Sequence, residues 1–173
     1  MTAYAFHPLI RTRSANLILQ YANESKRLDD RDEVNHTIVD RKVGSNKFGV
    51  VGDFRDGSFG GGLNSYSYTN TAGYNQLGPD PILLGDQSAT GAKTAGKFSK
   101  QNAEFRRLQK ITDNSSLLIA LLGQKASKNL TSSEKFSLGG PDGVRSYPTG
   151  EALGDTGYIL QTEMRYTIPG FTV

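Results

Sequence analysis

Several features are missing from this sequence, and each absence excludes a class of protein. There is no cysteine, which excludes disulfides and thiolate metal sites, and there are only two histidines. No apolar run reaches the ~18 residues that a transmembrane helix requires. The net charge of +3 comes from basic residues interleaved with acids, so the basic patch of a nucleic-acid-binding protein is not expected. We therefore predict no metal, no cofactor and no nucleic-acid partner.

What the sequence does contain is two-residue alternation, clearest near its end. One face of the segment carries Tyr158, Leu160, Thr162, Met164, Tyr166 and Ile168, and the other carries Ile159, Gln161, Glu163, Arg165 and Thr167. Tyrosines at both ends of an apolar face, opposite a charged face, are typical of a strand between lipid and a water-filled lumen. The pattern predicts that Leu160, Met164 and Tyr166 face lipid, and that Gln161, Glu163 and Arg165 line the lumen.

The same kind of alternation divides the chain into extended segments separated by two kinds of connection. Six strands are predicted, over residues 14–27, 39–54, 61–76, 97–111, 115–127 and 157–168. Long connections (28–38, 77–96 and 128–156) alternate with short turns (55–60 and 112–114). Up-and-down sheets of outer membranes have this asymmetry, because one rim carries tight turns and the other carries long loops. The sequence thus predicts an all-β, antiparallel transmembrane barrel, with residues 77–96 forming a mobile surface loop.

No pattern of catalytic residues stands out. Glu151 and Asp155 are two nearby carboxylates, but nothing in the sequence fixes their separation or supplies a pocket. The glycine run at 60–62 lacks the Lys-Ser/Thr that follows a phosphate-binding loop. We therefore predict a protein that is not an enzyme and has no small-molecule substrate.

A Gly/Pro-rich stretch and the strand after it carry a specific resemblance. The stretch contains Gly139, Gly140, Gly143, Val144, Arg145 and Tyr147. The continuation contains Gly154, Asp155, Gly157 and Tyr158 and ends in Glu163-Met164-Arg165-Tyr166. Together these motifs resemble the barrel of the two-partner (type V) secretion transporters, the haemolysin secretion/activation family. Ser146 departs from the family pattern, in which glycine is frequent at that position.

The resemblance implies a fold, a site and a function. Residues 1–173 would form a single partial barrel with about six of the family's sixteen strands. The POTRA domains and the final strands would lie outside this chain. The motif loop would fold back into the barrel, where Arg145 would pair with an aspartate of an F-x-D-x-G strand that this sequence lacks. The expected activity is secretion of a large unfolded exoprotein, of haemolysin or adhesin type, across the outer membrane of a Gram-negative bacterium. The exoprotein and outer-membrane lipid would be the partners.

Three other interpretations stay open at this stage. An outer-membrane protein assembly factor shares the inserted arginine loop but inserts barrels into the membrane. A soluble β-sandwich also alternates in strands of this length, and in such a fold Arg145 would be an ordinary turn residue in solvent. A diffusion porin would not need the inserted loop. The barrel interpretation also predicts two open sheet edges, which neither hydrocarbon nor water tolerates well.

Overall fold

The structure is a computed structural model that describes residues 2–32, 37–78, 80–140, 143–144, 146–148 and 150–169. Most of the described chain forms one antiparallel sheet. Its strands are β1 (Thr2–Arg11), β2 (Ala15–Asp32), β3 (Thr37–Asp56), β4 (Gly62–Gly78), β5 (Gly96–Lys110), β6 (Ser115–Ala126) and β9 (Gly157–Tyr166). Two short strands, β7 (Phe136–Ser137) and β8 (Leu153–Gly154), pair with each other apart from this sheet.

The sheet is an up-and-down meander. Its order is β1-β2-β3-β4-β5-β6-β9, so each strand pairs with the next strand of the sheet along the chain, and every pairing is antiparallel. The register is continuous from β2 to β9, and the one irregularity is a bulge between Pro8 and Ile10 in β1. The sheet is not closed, because β1 and β9 do not pair with each other in the described part of the chain. The chain therefore forms a partial antiparallel barrel.

The cross-strand register gives the sheet two faces of different chemistry. Directly paired residues share a face, so the alternation in β9 extends across the neighbouring strands. The face that carries Tyr158 and Tyr166, here called the outer face, leaves them 77% and 65% exposed. The opposite, inner face carries Gln161, together with Lys100 of β5 and Gln124 of β6. This arrangement is the apolar-out, polar-in pattern of a barrel wall.

A small core lies on the inner face. Val43 of β3 and Phe98 of β5 pack with Leu130, which belongs to the long connection between β6 and β9. The phenyl ring of Phe98 lies over Gly73 of β4, where a Cβ would collide with the ring. The sheet thus buries its apolar inner side chains against an inserted piece of chain and not against a second sheet. In the described residues, no helix has the length and apolar character needed to cross a bilayer.

The predicted pattern of strands and loops was wrong in three places. The prediction of six strands missed β1, in which Pro8 and the bulge interrupt the alternation. Residues 28–38 are not a long loop, because β2 continues to Asp32 and β3 begins at Thr37. The connection at 77–96 contains an α-helix, α1 (Asp80–Gln87). Strict alternation of long and short connections therefore fails at its first long loop and holds for the other two.

Candidate functional site

The candidate site is the segment of residues 127–156, which joins β6 to β9 and is here called the inserted segment. Its two arms pair through β7 and β8, with Phe136 opposite Gly154 and Ser137 opposite Leu153. These arms, residues 127–138 and 152–156, form its neck, and residues 139–148 form its tip. Because β6 and β9 are themselves neighbours, the segment leaves the sheet and returns to it at adjacent strands.

The neck is held to the inner face by polar contacts at both arms. The backbone N–H of Leu130 donates to Asp155 Oδ1 at 2.8 Å, which joins the two arms. Gln124 of β6 donates its amide to the carbonyl oxygens of Glu134 at 3.2 Å and Asp155 at 3.1 Å. Arg41 of β3 donates to Thr131 Oγ1 at 3.0 Å. Two strands of the sheet, β3 and β6, and the second arm therefore fix the position of the first arm.

The tip is a compact loop closed by backbone hydrogen bonds. The N–H of Val144 donates to the carbonyl oxygen of Leu138 at 2.7 Å, and the N–H of Tyr147 donates to that of Val144 at 3.0 Å. A further bond of 3.0 Å runs from Gly140 N–H to the carbonyl oxygen of Tyr147. The predicted motif residues Gly139, Gly140, Gly143, Val144 and Tyr147 are thus brought together in one turn of chain.

Two of the motif glycines are required by this geometry. Gly140 has φ +106°, in the left-handed region that favours glycine. A Cβ on Gly139 would collide with the carbonyl oxygen of Pro148 on the other side of the loop. The glycine-rich motif therefore allows two stretches of backbone to approach closely, and larger residues at these positions would force the loop apart.

The tip touches the wall at the strand that the sequence singled out. The side-chain amide of Gln161 in β9 donates a hydrogen bond to the carbonyl oxygen of Gly143. A cavity of about 550 Å³ lies between the tip and the wall, lined by Leu118, Ile159, Glu163, Val144 and Ser146 among others. Among the residues that the structure describes, this hydrogen bond joins the tip to the wall beside the cavity.

The remaining predicted residues lie at distinct places. Arg165 Nε donates to Glu163 Oε1 at 2.8 Å, so these two residues form an ion pair along the inner face of β9. Gly157 begins β9 beneath the ring of Phe136, and Tyr158 follows it on the outer face. Arg145 lies outside the described residues, and its pairing with an aspartate stays a prediction.

The most deeply buried charge among the described residues of the segment was not predicted from the sequence. Glu134, in the neck, is 2% exposed and lies within ion-pair distance of Lys26 and Lys100. Burial alone would raise the pKa of this carboxyl group, but hydrogen bonds and charges from Lys100 and Lys26 outweigh burial and hold it below its usual value. No local signal could have revealed the cluster, because the three residues are far apart in sequence and only the fold unites them.

The site offers no arrangement for metal binding in the part of the chain that the structure describes. No group of three or more His, Asp or Glu side chains there could hold an ion. Asp155 is engaged by Leu130 and lies 3.8 Å from Lys135, while Glu151 is exposed. The two carboxylates therefore have different surroundings, since Asp155 joins the two arms of the neck whereas Glu151 faces solvent.

Comparison with known proteins agrees with this geometry. The profile of the family described as haemolysin secretion/activation protein ShlB/FhaC/HecB matches residues 32–173. The chain is 28% identical over 173 residues to the heme/hemopexin transporter protein HuxB of Haemophilus influenzae, covering 98% of this chain and 29% of that protein. HuxB of H. influenzae strain 86-028NP matches with the same identity and coverage.

A solved structure matches as well. CdiB from Escherichia coli superposes with a TM-score of 0.76 at 19% identity, covering 99% of this chain and 31% of that chain. At this identity the likeness shows the fold, a β-barrel of which the present sheet is a part. The chain spans about 29% of the length of the curated relatives that it matches. Since the family profile covers most of the sequence, the chain belongs to the haemolysin secretion/activation protein family ShlB/FhaC/HecB.

Proposed function

We propose that this chain is part of an outer-membrane transporter that secretes a large unfolded exoprotein by two-partner secretion. The observation that carries the proposal is the inserted segment, which folds against the inner face of a sheet whose outer face is apolar. Such a wall suits contact with lipid outside and passage of polypeptide inside. The family consists of outer-membrane transporters of Gram-negative bacteria and not of enzymes, which supports this location and the absence of catalysis.

The parts of the chain take the following roles in this proposal. Leu160, Met164 and Tyr166 on the outer face contact lipid, and Gln161, Glu163 and Arg165 line the path of the client. The tip of the inserted segment, with Val144, Arg145 and Tyr147, occupies the path at rest. Displacement of the tip lets the client through. The cavity beside the tip leaves room for this movement.

The test is secretion in a Gram-negative host that produces the full-length protein together with its exoprotein. We expect the exoprotein in the culture medium when the transporter is present, and in the periplasm when it is absent. The alternative role in barrel assembly makes a different prediction, namely that loss of the protein lowers the amounts of other outer-membrane barrels. Unchanged secretion with depleted barrels would contradict the proposal.

A further inference from the structure

The carboxylate of Glu134 is bound by two lysines. Lys26 Nζ lies 3.1 Å from Glu134 Oε1, and Lys100 Nζ lies 3.0 Å from Oε2. The backbone oxygen of the same residue accepts hydrogen bonds from Lys100 Nζ at 2.8 Å and from Gln124 Nε2 at 3.2 Å. At 2% exposure Glu134 has almost no contact with water, so the two lysines take the place of water around its carboxylate.

The two lysines come from separate strands. Lys26 is on β2 and Lys100 is on β5, and β3 and β4 lie between these strands in the sheet. Lys26 also lies 3.4 Å from Glu24 Oε2, to which Lys47 of β3 makes a 2.6 Å ion pair. Glu134 therefore lies within a row of charges of alternating sign on the inner face, in the order Lys47, Glu24, Lys26, Glu134 and Lys100. The side chain of Glu134 thus attaches the neck to two strands, β2 and β5, that are not neighbours in the sheet.

The neck makes an apolar contact with the wall besides its ion pairs. The neck also buries Leu130 against Val43 and Phe98, next to the charge cluster. At the tip, the described contact with β9 is the hydrogen bond from the amide of Gln161 to the carbonyl oxygen of Gly143, beside the cavity. Buried charges that lose a partner are strongly disfavoured, so the ion pairs of Glu134 oppose displacement of the neck.

We propose that Glu134 is a positioning residue that fixes the neck to the wall, so that the neck stays in place when a client passes. This inference rests on the proposed function for its meaning, since it states which part of the channel stays in place. It also explains why the arms pair through β7 and β8, because paired arms carry the constraint from one arm to the other.

The attachment has a pH dependence of defined sign. The groups that face Glu134 are Lys26 and Lys100, with Glu24, Lys47, Lys135 and Asp155 in the next layer. Because its pKa is held below the usual value of 4.5, the stabilisation is complete above that pH. It is lost as the pH falls through the lowered pKa, when the carboxylate takes up a proton.

The experiment measures exposure of the neck in the full-length protein, in vesicles and without the client. Thr131 is 3% exposed, so Thr131→Cys reports on the neck by its rate of maleimide labelling, and Ser146→Cys reports on the tip. In the Glu134→Gln background we expect Thr131→Cys labelling to rise about tenfold or more, because the lysines lose their buried counter-charge. Labelling at Ser146→Cys should stay the same.

Two variants provide the controls. Glu134→Asp keeps the charge and should restore much of the protection of Thr131→Cys. Glu151→Gln removes an exposed acid of the same segment and should leave labelling unchanged. Channel conductance of the wild type should rise below pH 4.5, and that of Glu134→Gln should show no such rise.

Each outcome decides between the alternatives. Unchanged labelling in Glu134→Gln, or equal effects of Glu134→Gln and Glu151→Gln, would refute the positioning role while leaving secretion intact. Failure of Glu134→Gln to form a heat-resistant barrel would also refute it, because the role would then be global. If the labelling changes as predicted but the full-length protein secretes no client, the neck attachment is supported and the proposed function is refuted.

Discussion

Substitution of Leu130 by alanine tests whether the inserted segment is a structural part of the barrel interior. Leu130 is 2% exposed and packs on Val43 and Phe98. The change removes about three carbon groups at about 0.8 kcal/mol each, a transfer loss of about 2.4 kcal/mol. A cleft of about 590 Å³ borders Leu130, so water can enter the vacated space and the additional cavity penalty is small. We expect a loss of about 2–3 kcal/mol in the free energy of unfolding.

The assay is urea unfolding of the full-length protein in vesicles, followed by circular dichroism. Leu84→Ala is the matched control, since Leu84 on α1 is 73% exposed and its loss should change stability by less than about 0.5 kcal/mol. Equal midpoints for Leu130→Ala and the control would refute the packing of the neck on the inner face. A loss well above 5 kcal/mol would contradict the open cleft beside Leu130, because it would require a sealed cavity.

Three further predictions concern single backbone and side-chain features. Gly139→Ala should displace the tip at a cost of about 2–3 kcal/mol, because the added Cβ collides with the carbonyl oxygen of Pro148. Faster proteolysis within the inserted segment would report this displacement. The control is Gly78→Ala, whose Cβ would meet nothing within 4 Å, and it should behave as wild type. Phe59→Gly should stabilise the protein by about 1 kcal/mol in urea titrations, because Phe59 has φ +53° and is 90% exposed; a lower stability would indicate that its ring makes a needed contact. Burial alone would raise the pKa of Asp86, but hydrogen bonds from Ala95, Thr94 and Gln87 outweigh it and hold the pKa below its usual 3.8. Stabilisation of α1 is therefore lost as the pH falls through that lowered value, and hydrogen exchange in α1 should accelerate at acid pH in the wild type but not in Asp86→Asn.

The faces of β9 could be predicted from the sequence because their chemistry differs. The prediction of an alternating wall strand over residues 157–168 is confirmed by β9 (Gly157–Tyr166), whose apolar outer residues are exposed. The faces of β6 could not be predicted, because both are apolar between Leu117 and Leu122. Pairing decides them: Leu121 lies opposite Leu160 on the outer face, and Leu122 lies opposite Ile159 on the inner face. Which side chains of β6 face outward is therefore set by its pairing with β9 and cannot be read from the strand alone.

The hairpin of β2 and β3 was mistaken for a loop for a related reason. The last four residues of β2, from Asp29 to Asp32, are all charged, so neither face of the strand is apolar there. Arg27 pairs with Asp40 across the hairpin at 2.9 Å. A strand without an apolar face has no alternation to detect, and its stability comes from the ladder to its neighbour. The same argument explains α1, which is fixed by tertiary hydrogen bonds from Thr94 and Ala95 to Asp86.

The candidate site was only partly predictable. The glycine motif marks a tight loop because close approach and positive φ leave a local signature. The attachment of Glu134 to Lys26 and Lys100 leaves none, since it depends on how β2, β5 and one arm are staggered. The resemblance to the family directed attention to the tip, whereas the buried ion pairs of Glu134 lie in the neck.

The central claim is that the tip must move for a client to pass. Ser146 and Leu118 line the same cavity from the tip and from the wall, and this chain has no other cysteine to interfere with a Ser146→Cys/Leu118→Cys pair. The decisive measurement is the amount of exoprotein released into the medium after the pair is joined by a short cleavable bismaleimide. The account predicts that release stops on crosslinking and returns on cleavage, while both single-cysteine variants secrete throughout. Undiminished release from the crosslinked protein would contradict it.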